Sequence, residues 1–283
     1  MFDTSTATTT VRGDEARRAA LAAFLKSKRG GLAPARVGLK SGPRRRARGL
    51  LREEVAQLAG ISPTWYVWLE QGRDIRPSSS VIEQLADALL LTVAERDHLF
   101  TLARPSTRAT PAPSLDAPDT LKAWIAGLNR QPAYVLNGIW DIVAWNDAAC
   151  EIFGEFSQVP AAQRNVLWMI FCWRPWRTLF ANWDCLAKFA AAQFRADTAA
   201  YAGHAQRDAL LADLCANSSE FAALWNAGAV AAPRLTEKVI HHPTLGIRSL
   251  TYASLRPQGV APDVSVVVYS PCWSESTLSM VAY

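Results

Sequence analysis

The sequence predicts two domains, an all-α domain followed by an α+β domain. At 283 residues the chain is long enough for two ordinary domains, each with its own core. Half of the residues are hydrophobic and 19% are charged, which is typical of a globular protein. Helical periodicity dominates residues 15–104, whereas strand-like runs and nine of the eleven tryptophans follow residue 118.

Four segments are predicted along the chain. Residues 1–14 are polar and rich in threonine, and we expect a disordered tail there. The first domain covers residues 15–104. Residues 105–118 contain four prolines, which oppose both helix and sheet, so this segment is predicted to be a linker. The second domain covers residues 119–283.

The charge is unevenly distributed between the two halves. Residues 1–110 carry 18 Lys and Arg against 11 Asp and Glu, and residues 111–283 carry 12 against 14. A basic first half favours contact with a polyanion, although a solvated basic face without a partner has the same composition. No signal peptide or apolar run of about 20 residues is present, so we expect a cytoplasmic protein with no membrane partner.

Residues 49–72, GLLREEVAQLAGISPTWYVWLEQG, predict two short helices joined by a tight turn. Gly60 ends the first helix, Ser62 can cap the second, and Pro63 suits the first helical position. The predicted buried positions are Leu51, Val55, Leu58, Ala59, Tyr66 and Leu69. This pattern indicates a helix-turn-helix, in which the second helix can enter the major groove of DNA. An ordinary helical hairpin is the alternative.

Three further helices complete the first domain. One is predicted at about residues 15–29, and PSSSVIEQLADALLL begins a second with a serine cap. Thr92 and Glu95 form a capping box for the last helix. Five short helices around one core are typical of a lambda-repressor-like DNA-binding domain.

The candidate DNA contacts lie on the second helix of the motif and around it. Exposed positions at the start of that helix are expected to meet base edges, although one of its two tryptophans, Trp65 or Trp68, could pack against the fourth helix instead. Neighbouring polar residues and the arginine-rich loop before the motif suit contacts with phosphate or the minor groove, although a solvated charge run is the alternative. The candidates are Arg44, Arg45, Arg46, Arg48, Arg52, Gln57, Ser62, Thr64, Trp65, Trp68 and Arg73.

The second domain begins with a predicted β-hairpin. The runs 133–136 and 142–145 are rich in β-formers and are separated by turn residues. WDIVAWNDAACEIFG looks like the start of a PAS-like domain, in which a strand ends at an Asn, here Asn146, that caps a short helix. EKVIHH, GIRSLTYASL and DVSVVVYS are strand-like, so the domain is predicted to be α+β and PAS-like.

PAS-like sheets commonly enclose a pocket, and the aromatic residues of this domain could line one. Such residues are also common in plain cores. Within the run 168–180, two arginines could meet a ligand carboxylate at a pocket mouth, or the run could form a dimer surface. The candidate ligand contacts are Tyr134, Trp145, Phe153, Trp168, Phe171, Arg174, Arg177, Trp183, Trp225 and Tyr252.

Motifs for catalysis and cofactors are absent from the sequence. It contains no phosphate-binding Gly-rich loop, no GxSxG and no HExxH, so we predict neither an enzyme nor a cofactor. His241 and His242 are adjacent in a predicted strand and point to opposite faces, which disfavours a shared metal. The five cysteines include no CxxC pair.

The sequence resembles the XRE-type helix-turn-helix regulators and, more narrowly, the MmyB-like family. The resemblance rests on RRRARGLLREEVAQLAGISPTWYVWLEQGRDIRPSSSVIEQLADAL and, in the second domain, on QPAYVLNGIWDIVAWNDAACEIFG, NSSEFAALW and HHPTLGIRSLTYASL. It departs at Trp68, where relatives usually carry a polar or basic residue. The resemblance implies a transcription regulator that binds double-stranded DNA and a small hydrophobic ligand, with fatty-acid-like molecules as one candidate class.

A homodimer is expected because one such module buries too little surface for tight, specific DNA binding. Two alternatives to the sensor interpretation stay open for the second domain. It could dock another protein without binding a small molecule, or it could be an enzyme.

Overall fold

A computed structural model describes residues 4–40, 47–104, 112–230, 237–259 and 263–271. The chain divides into two compact units. The first contains residues 1–110, 195–211 and 223–231, and the second contains residues 111–194, 212–222 and 232–283. This division differs from the single boundary predicted at residues 105–118, because two later segments join the first unit.

Helices build the first unit, as predicted. Its first five α-helices are α1 (Thr4–Gly31), α2 (Arg52–Leu58), α3 (Pro63–Glu70), α4 (Ser79–Ala88) and α5 (Val93–Ala103). Helix α1 begins inside the segment predicted to be a disordered tail. Extending a helix that is already packed costs far less than nucleating one, which accounts for this difference.

One hydrophobic core holds the first unit together. The predicted core residues Val55, Ala59, Tyr66 and Leu69 are buried, whereas Leu51 and Leu58 are exposed at 43% and 39%. The prediction that Leu51 and Leu58 are buried was therefore wrong. Ala199 and Val230 belong to the same core, which shows how the later segments contribute to the unit. Their contribution has no signal in helical periodicity.

Gly49 lies where the chain passes the end of α1. A Cβ atom at this position would lie 2.3 Å from the carbonyl oxygen of Gly30 and 2.4 Å from that of Arg29. Just beyond it, Leu50 N donates a hydrogen bond to Arg29 O at 3.0 Å. Only glycine allows this approach of two backbones, which brings α2 against the end of α1.

The second unit contains a sheet and surrounding helices. Its described strands are β1 (Ala133–Leu136), β2 (Ile142–Trp145), β3 (Glu237–His242), β4 (Gly246–Leu255) and β5 (Ser265–Pro271). They form an antiparallel sheet in the order β2-β1-β5-β4-β3. The predicted hairpin and the three later strands are thereby confirmed.

Most of the helices after α5 lie between β2 and β3 in the chain, and the last three of them contribute residues to both units. Helix α6 (Asp119–Ala126) precedes the sheet, and the later helices are α7 (Asp147–Phe153), α8 (Val166–Cys172), α9 (Arg174–Leu179), α10 (Trp183–Asp197), α11 (Ala205–Asn217) and α12 (Ser219–Ala227). None of the helices in the described ranges combines the length and the apolar character needed to cross a membrane.

The end of the predicted linker packs onto the second unit. Residues 105–111 lie outside the described residues. Ala117 is buried in a core cluster that also contains Leu121 and Val135. Ser114 donates from its backbone N and its Oγ to the carboxylate of Asp263, at 2.7 and 2.8 Å. Residues 112–118 are therefore partly structured, because their few apolar and hydroxyl groups find partners beside the sheet.

We expect Gly49→Ala to destabilise the first unit by about 2 kcal/mol, because the new methyl group must displace the end of α1. Amide hydrogen exchange of α1 and α2 would measure the change. Gly30→Ala is the matched control, since a Cβ there meets nothing within 4 Å. Equal exchange in the two variants would contradict the close approach described above.

Candidate functional site

Helix α3 begins at a sharp corner after α2. Gly60 adopts a φ of 63°, the left-handed region that favours glycine, and Ile61 N donates to Ala56 O at 3.0 Å across the turn. Ser62 then caps α3 by accepting a hydrogen bond from Trp65 N at 3.1 Å, and Pro63 occupies the first helical turn. The predicted corner is confirmed, and it leaves the first turn of α3 exposed.

A buried carboxylate at the other end of α3 ties three helices together. Glu70 is fully buried, and its two oxygens accept hydrogen bonds from Arg29 of α1 and Arg52 of α2. Arg29 Nε lies 2.6 Å from Oε1 and Arg29 Nη2 lies 3.2 Å from Oε2. Arg52 Nε lies 2.6 Å from Oε2. We call this set of three side chains the Glu70 clamp.

The contacts within the clamp shift the pKa values of Glu70 and Arg29. Burial would raise the pKa of Glu70, but the hydrogen bonds from Arg29 and Arg52 outweigh burial and hold the pKa below its usual value. The same contact with Glu70 raises the pKa of Arg29. The clamp is therefore charged throughout the physiological range.

The predicted DNA contacts occupy different surroundings. Ser62, Thr64 and Gln57 are exposed around the start of α3. Trp65 is partly buried and packs against the core of the first unit, so it is a less accessible candidate than expected. Trp68 is half-buried, and the guanidinium carbon of Arg73 lies 5.5 Å from the centre of its ring.

The predicted basic residues fall into three groups. Arg44, Arg45 and Arg46 lie outside the described residues. Arg48 and Arg73 are exposed, as phosphate contacts require. The side chain of Arg52 is 47% exposed, and its Nε is committed to Glu70. Arg52 therefore has a structural partner that the sequence did not predict, while part of its guanidinium group still reaches the surface.

In the second unit, an aromatic cluster covers one face of the sheet around Tyr269. The predicted ligand residues Tyr134, Phe153 and Tyr252 surround it, with ring centres 5.9, 4.7 and 5.7 Å from that of Tyr269. The hydroxyls of Tyr134 and Tyr269 are hydrogen-bonded at 2.9 Å. Trp145 adjoins the cluster through Phe156, whose ring centre lies 5.6 Å away.

Lys238 places an ammonium group among these rings. Its Nζ donates to the Tyr269 hydroxyl at 2.8 Å and lies 4.6 Å from the ring centre of Tyr252 and 5.8 Å from that of Phe180. Burial lowers the pKa of Lys238 to about 7. Among the described residues, no ion pair includes Lys238.

Other predicted ligand residues form a second group on the helices of the same unit. Phe171 is buried, with its ring centre 5.7 Å from that of Trp183. Arg177 lies over the Trp183 ring at 4.1 Å and pairs with Glu220 at 2.8 Å. Its charge is therefore already matched by an exposed partner.

The remaining predicted ligand residues are separate from the sheet cluster. Trp168 donates from Nε1 to Asp213 at 2.7 Å, and Arg174 is exposed. Trp225 belongs to the first unit, beside Arg195. The predicted set of ligand residues is thus distributed over several places.

Sequence reasoning missed the Glu70 clamp and Lys238. A signal existed for Glu70, because it follows the buried Tyr66 by one helical turn and so shares its face. A signal also existed for Lys238, because it lies two residues before the buried Ile240 in β3. Residues two apart in a strand point to the same side of the sheet.

Of the two adjacent histidines of β3, His242 is hydrogen-bonded to backbone groups. His242 Nε2 lies 2.8 Å from Glu151 O, and its Nδ1 accepts from Leu245 N at 3.1 Å. No group of three or more potential metal-ligating His, Cys, Asp or Glu side chains occurs in the described part of the chain.

Comparison with known families found two matches. The model for the MmyB-like transcription regulator ligand binding domain matches residues 117–277, which is more than half of the chain. The model for a helix-turn-helix domain matches residues 43–99. No curated protein matches the chain.

We expect Glu70→Gln to destabilise the first unit by about 3 kcal/mol at pH 7, because it leaves two guanidinium groups with a neutral partner. Since the pKa of Glu70 is held low, the stabilisation is present above the unfolded pKa of about 4.3 and is lost as the pH falls through the folded value.

Unfolding of the full chain at pH 7 and at pH 3, followed by hydrogen exchange of α3, would measure both effects. Glu53→Gln is the matched control, since Glu53 is exposed on α2. A Glu70→Gln variant as stable as this control at pH 7 would refute the clamp.

Proposed function

Because the chain belongs to the MmyB-like transcription regulators, with an XRE-type helix-turn-helix domain before the ligand-binding domain, we propose how each unit performs its part. Helix α3 of the first unit reads base edges in the major groove of double-stranded DNA. The second unit binds a small hydrophobic ligand with an acidic head group. A regulator that reads chromosomal DNA acts in the cytoplasm.

The exposed first turn of α3 carries the proposal for DNA. The corner at Gly60 and the cap at Ser62 leave Thr64 accessible, and the Glu70 clamp fixes the other end of the helix. A rigid helix presented by its N-terminal turn is the arrangement that helix-turn-helix proteins use in the major groove. Thr64 and the edge of Trp68 suit apolar contact with a thymine methyl group.

Arginines around α3 supply the electrostatic part of binding. Arg48 and Arg73 are exposed near the motif, and Arg44, Arg45 and Arg46 precede it in the sequence. Contacts of this kind with phosphates position a protein on DNA but carry little sequence information. We assign sequence choice to α3 and salt-dependent affinity to the arginines.

A homodimer follows from the size of the interface. Helix α3 has only eight residues and can contact few base pairs, whereas two copies can read the two halves of a palindromic site. We therefore propose that the regulator binds DNA as a two-fold dimer, and the mass of the protein on its DNA measures this directly.

The aromatic cluster of the sheet supports the proposal for the ligand. A strand that ends before Asn146, whose side chain caps α7 by accepting from Ala149 N at 3.0 Å, agrees with a PAS-like domain. Lys238 holds a positive charge among rings without an acidic partner in the described chain. A carboxylate would neutralise it, while the rings would contact an apolar tail.

We propose Lys238, and not Arg174 or Arg177, as the residue that binds the acidic head group. Arg177 is paired with Glu220 and Arg174 is exposed, whereas Lys238 lies beside Tyr252 and Tyr269. A long-chain fatty acid has the required chemistry. By preferring one conformation of the regulator, such a ligand would shift its population and thereby its affinity for DNA.

Replacing Arg44, Arg45 and Arg46 with Ala is expected to weaken binding to all duplexes. The slope of log K against log salt should decrease in magnitude by about 1 for each lost phosphate contact. Fluorescence anisotropy at several salt concentrations measures the slope. The matched control replaces Arg130, Arg248 and Arg256, which are exposed in the second unit. An unchanged slope in the first variant, or an equal change in both, contradicts the assignment.

Thr64→Ala should alter sequence preference more than overall affinity. We expect about tenfold weaker binding to a duplex selected for the native protein and little change on random duplex. Competition binding with both duplexes measures the difference. Thr101→Ala, at an exposed threonine of α5, is the control. Equal losses on both duplexes would show that Thr64 does not read bases.

Lys238→Met should weaken binding of the fluorescent fatty acid cis-parinaric acid at least about tenfold and leave binding of the corresponding alcohol unchanged. For the native protein, acid binding should be strongest below pH 7 and fall as the pH rises above 7, because the empty site then loses the lysine proton. Lys188→Met, on the exposed side of α10, is the control. Equal affinity for acid and alcohol would exclude Lys238 as the anchor.

A further inference from the structure

A cavity of about 200 Å³ lies within the first unit. All of its lining residues belong to that unit, so it is distinct from the aromatic cluster of the sheet. Its apolar wall consists of Ala20, Ala23, Phe24, Leu102, Ala199 and Ala202. Its polar wall includes His98, Arg195 and Arg207, with the ring of Trp225 beside them. Neither the DNA-binding role nor the proposed fatty-acid site uses these polar groups.

The two arginines of the cavity differ in how fully they are paired. Arg207 is 8% exposed, and it donates to Thr198 Oγ1 at 3.0 Å and to Asp208 Oδ1 at 3.3 Å. Arg195 Nη2 donates a hydrogen bond to Trp225 O, and the guanidinium carbon of Arg195 lies 3.8 Å from the ring centre of Trp225. Arg195 Nε is buried and has no acceptor in the described part of the chain.

His98, which also lines the cavity, has a second unpaired nitrogen. The residue is 6% exposed, and its ring packs edge-to-face on Phe24 with centres 5.1 Å apart. Its Nδ1 has no hydrogen-bond partner among the described residues. Burial, followed by the charges of Arg195, Arg207 and Lys28, lowers the pKa of His98 to about 3, so the ring is neutral at physiological pH.

Two acidic groups near the cavity, Glu95 and Asp208, are already engaged in ion pairs. Glu95, whose charge favours a higher pKa of His98, pairs with Lys28 at 2.6 Å, and Asp208 pairs with Arg207. None of the ion pairs found in the described ranges includes Arg195. Its charge is therefore uncompensated, and an uncompensated charge in such surroundings is costly unless an anion joins it.

The size and the walls of the cavity indicate what kind of anion fits. A cavity of roughly 150 Å³ is known to hold benzene, so this one has room for a ring and a carboxylate. Phe24 and Trp225 offer ring faces to a flat molecule. Arg195 Nε, which has no acceptor in the described part of the chain, can donate a charge-assisted hydrogen bond to a carboxylate oxygen.

We propose that this cavity binds a small organic carboxylate with a flat apolar body, held by Arg195 and Arg207 and enclosed by Phe24 and Trp225. The regulator would then carry an effector site inside its DNA-binding unit, independent of the ligand of the second unit. Because the walls include helices α1 and α5 of the DNA-binding unit, occupancy would stabilise that unit by simple mass action.

Calorimetric titration of the full-length protein with sodium benzoate tests the proposal. We expect benzoate to bind, its neutral analogue benzamide to bind at least about tenfold more weakly, and inorganic phosphate to bind more weakly than benzoate. Absence of benzoate binding, or equal binding of benzamide, overturns the proposal. If phosphate binds more tightly than benzoate, the proposal that the ligand has a flat apolar body is overturned.

Arg195→Met should weaken benzoate binding about tenfold or more, and it should remove the increase in melting temperature that benzoate produces. Arg104→Met is the matched control, because Arg104 is an exposed arginine that lies over the ring of Phe100 at 5.3 Å. Arg195→Lys should retain part of the affinity if charge is required. Loss of benzoate binding with Lys238→Met but not with Arg195→Met would locate benzoate at the sheet and overturn the proposal.

Discussion

The carboxylate of Glu70 is the group on which the DNA-binding unit depends. It is buried and accepts hydrogen bonds from two guanidinium groups of different helices, so α1, α2 and α3 can keep their ion pairs only in one mutual arrangement. A single apolar contact tolerates sliding, whereas three hydrogen bonds to two oxygens do not. The clamp thus converts an ordinary helical pair into a rigid support for α3.

This support also explains how the basic charge of the first half is used. Arg29 and Arg52 contribute to the formal charge, but their guanidinium groups are directed to Glu70 inside the unit. Arg48 and Arg73 are exposed and remain available for phosphate. Net charge alone therefore overstates the number of arginines in this unit that have no ion-pair partner.

Much of the fold could be predicted because local rules act there. Gly60, the Ser62 cap and the capping box of α5 are local features, and each is confirmed. The strands of the second unit follow from runs of β-forming residues. The joining of residues 195–211 and 223–231 to the first unit could not be predicted, because it depends on packing between distant segments, as at Ala199.

The functional side chains divide in the same way. Exposed residues next to Gly60 could be predicted from helical phase, although Trp65 proved to be partly buried. Lys238, the anchor proposed for the ligand, could not be predicted from the sequence, because the rings around it come from β4, β5 and the segment after α9. Charge without a partner is visible only in three dimensions. For the same reason, Arg195 had no special significance in the sequence.

The most direct test of α3 as the reading helix is selection of duplexes from a random pool by the full-length protein, followed by methylation interference. If α3 enters the major groove, we expect an enriched sequence in which methylation of guanine N7 blocks binding. Failure to enrich any sequence over random duplex at low salt, or interference confined to the minor groove, would contradict it.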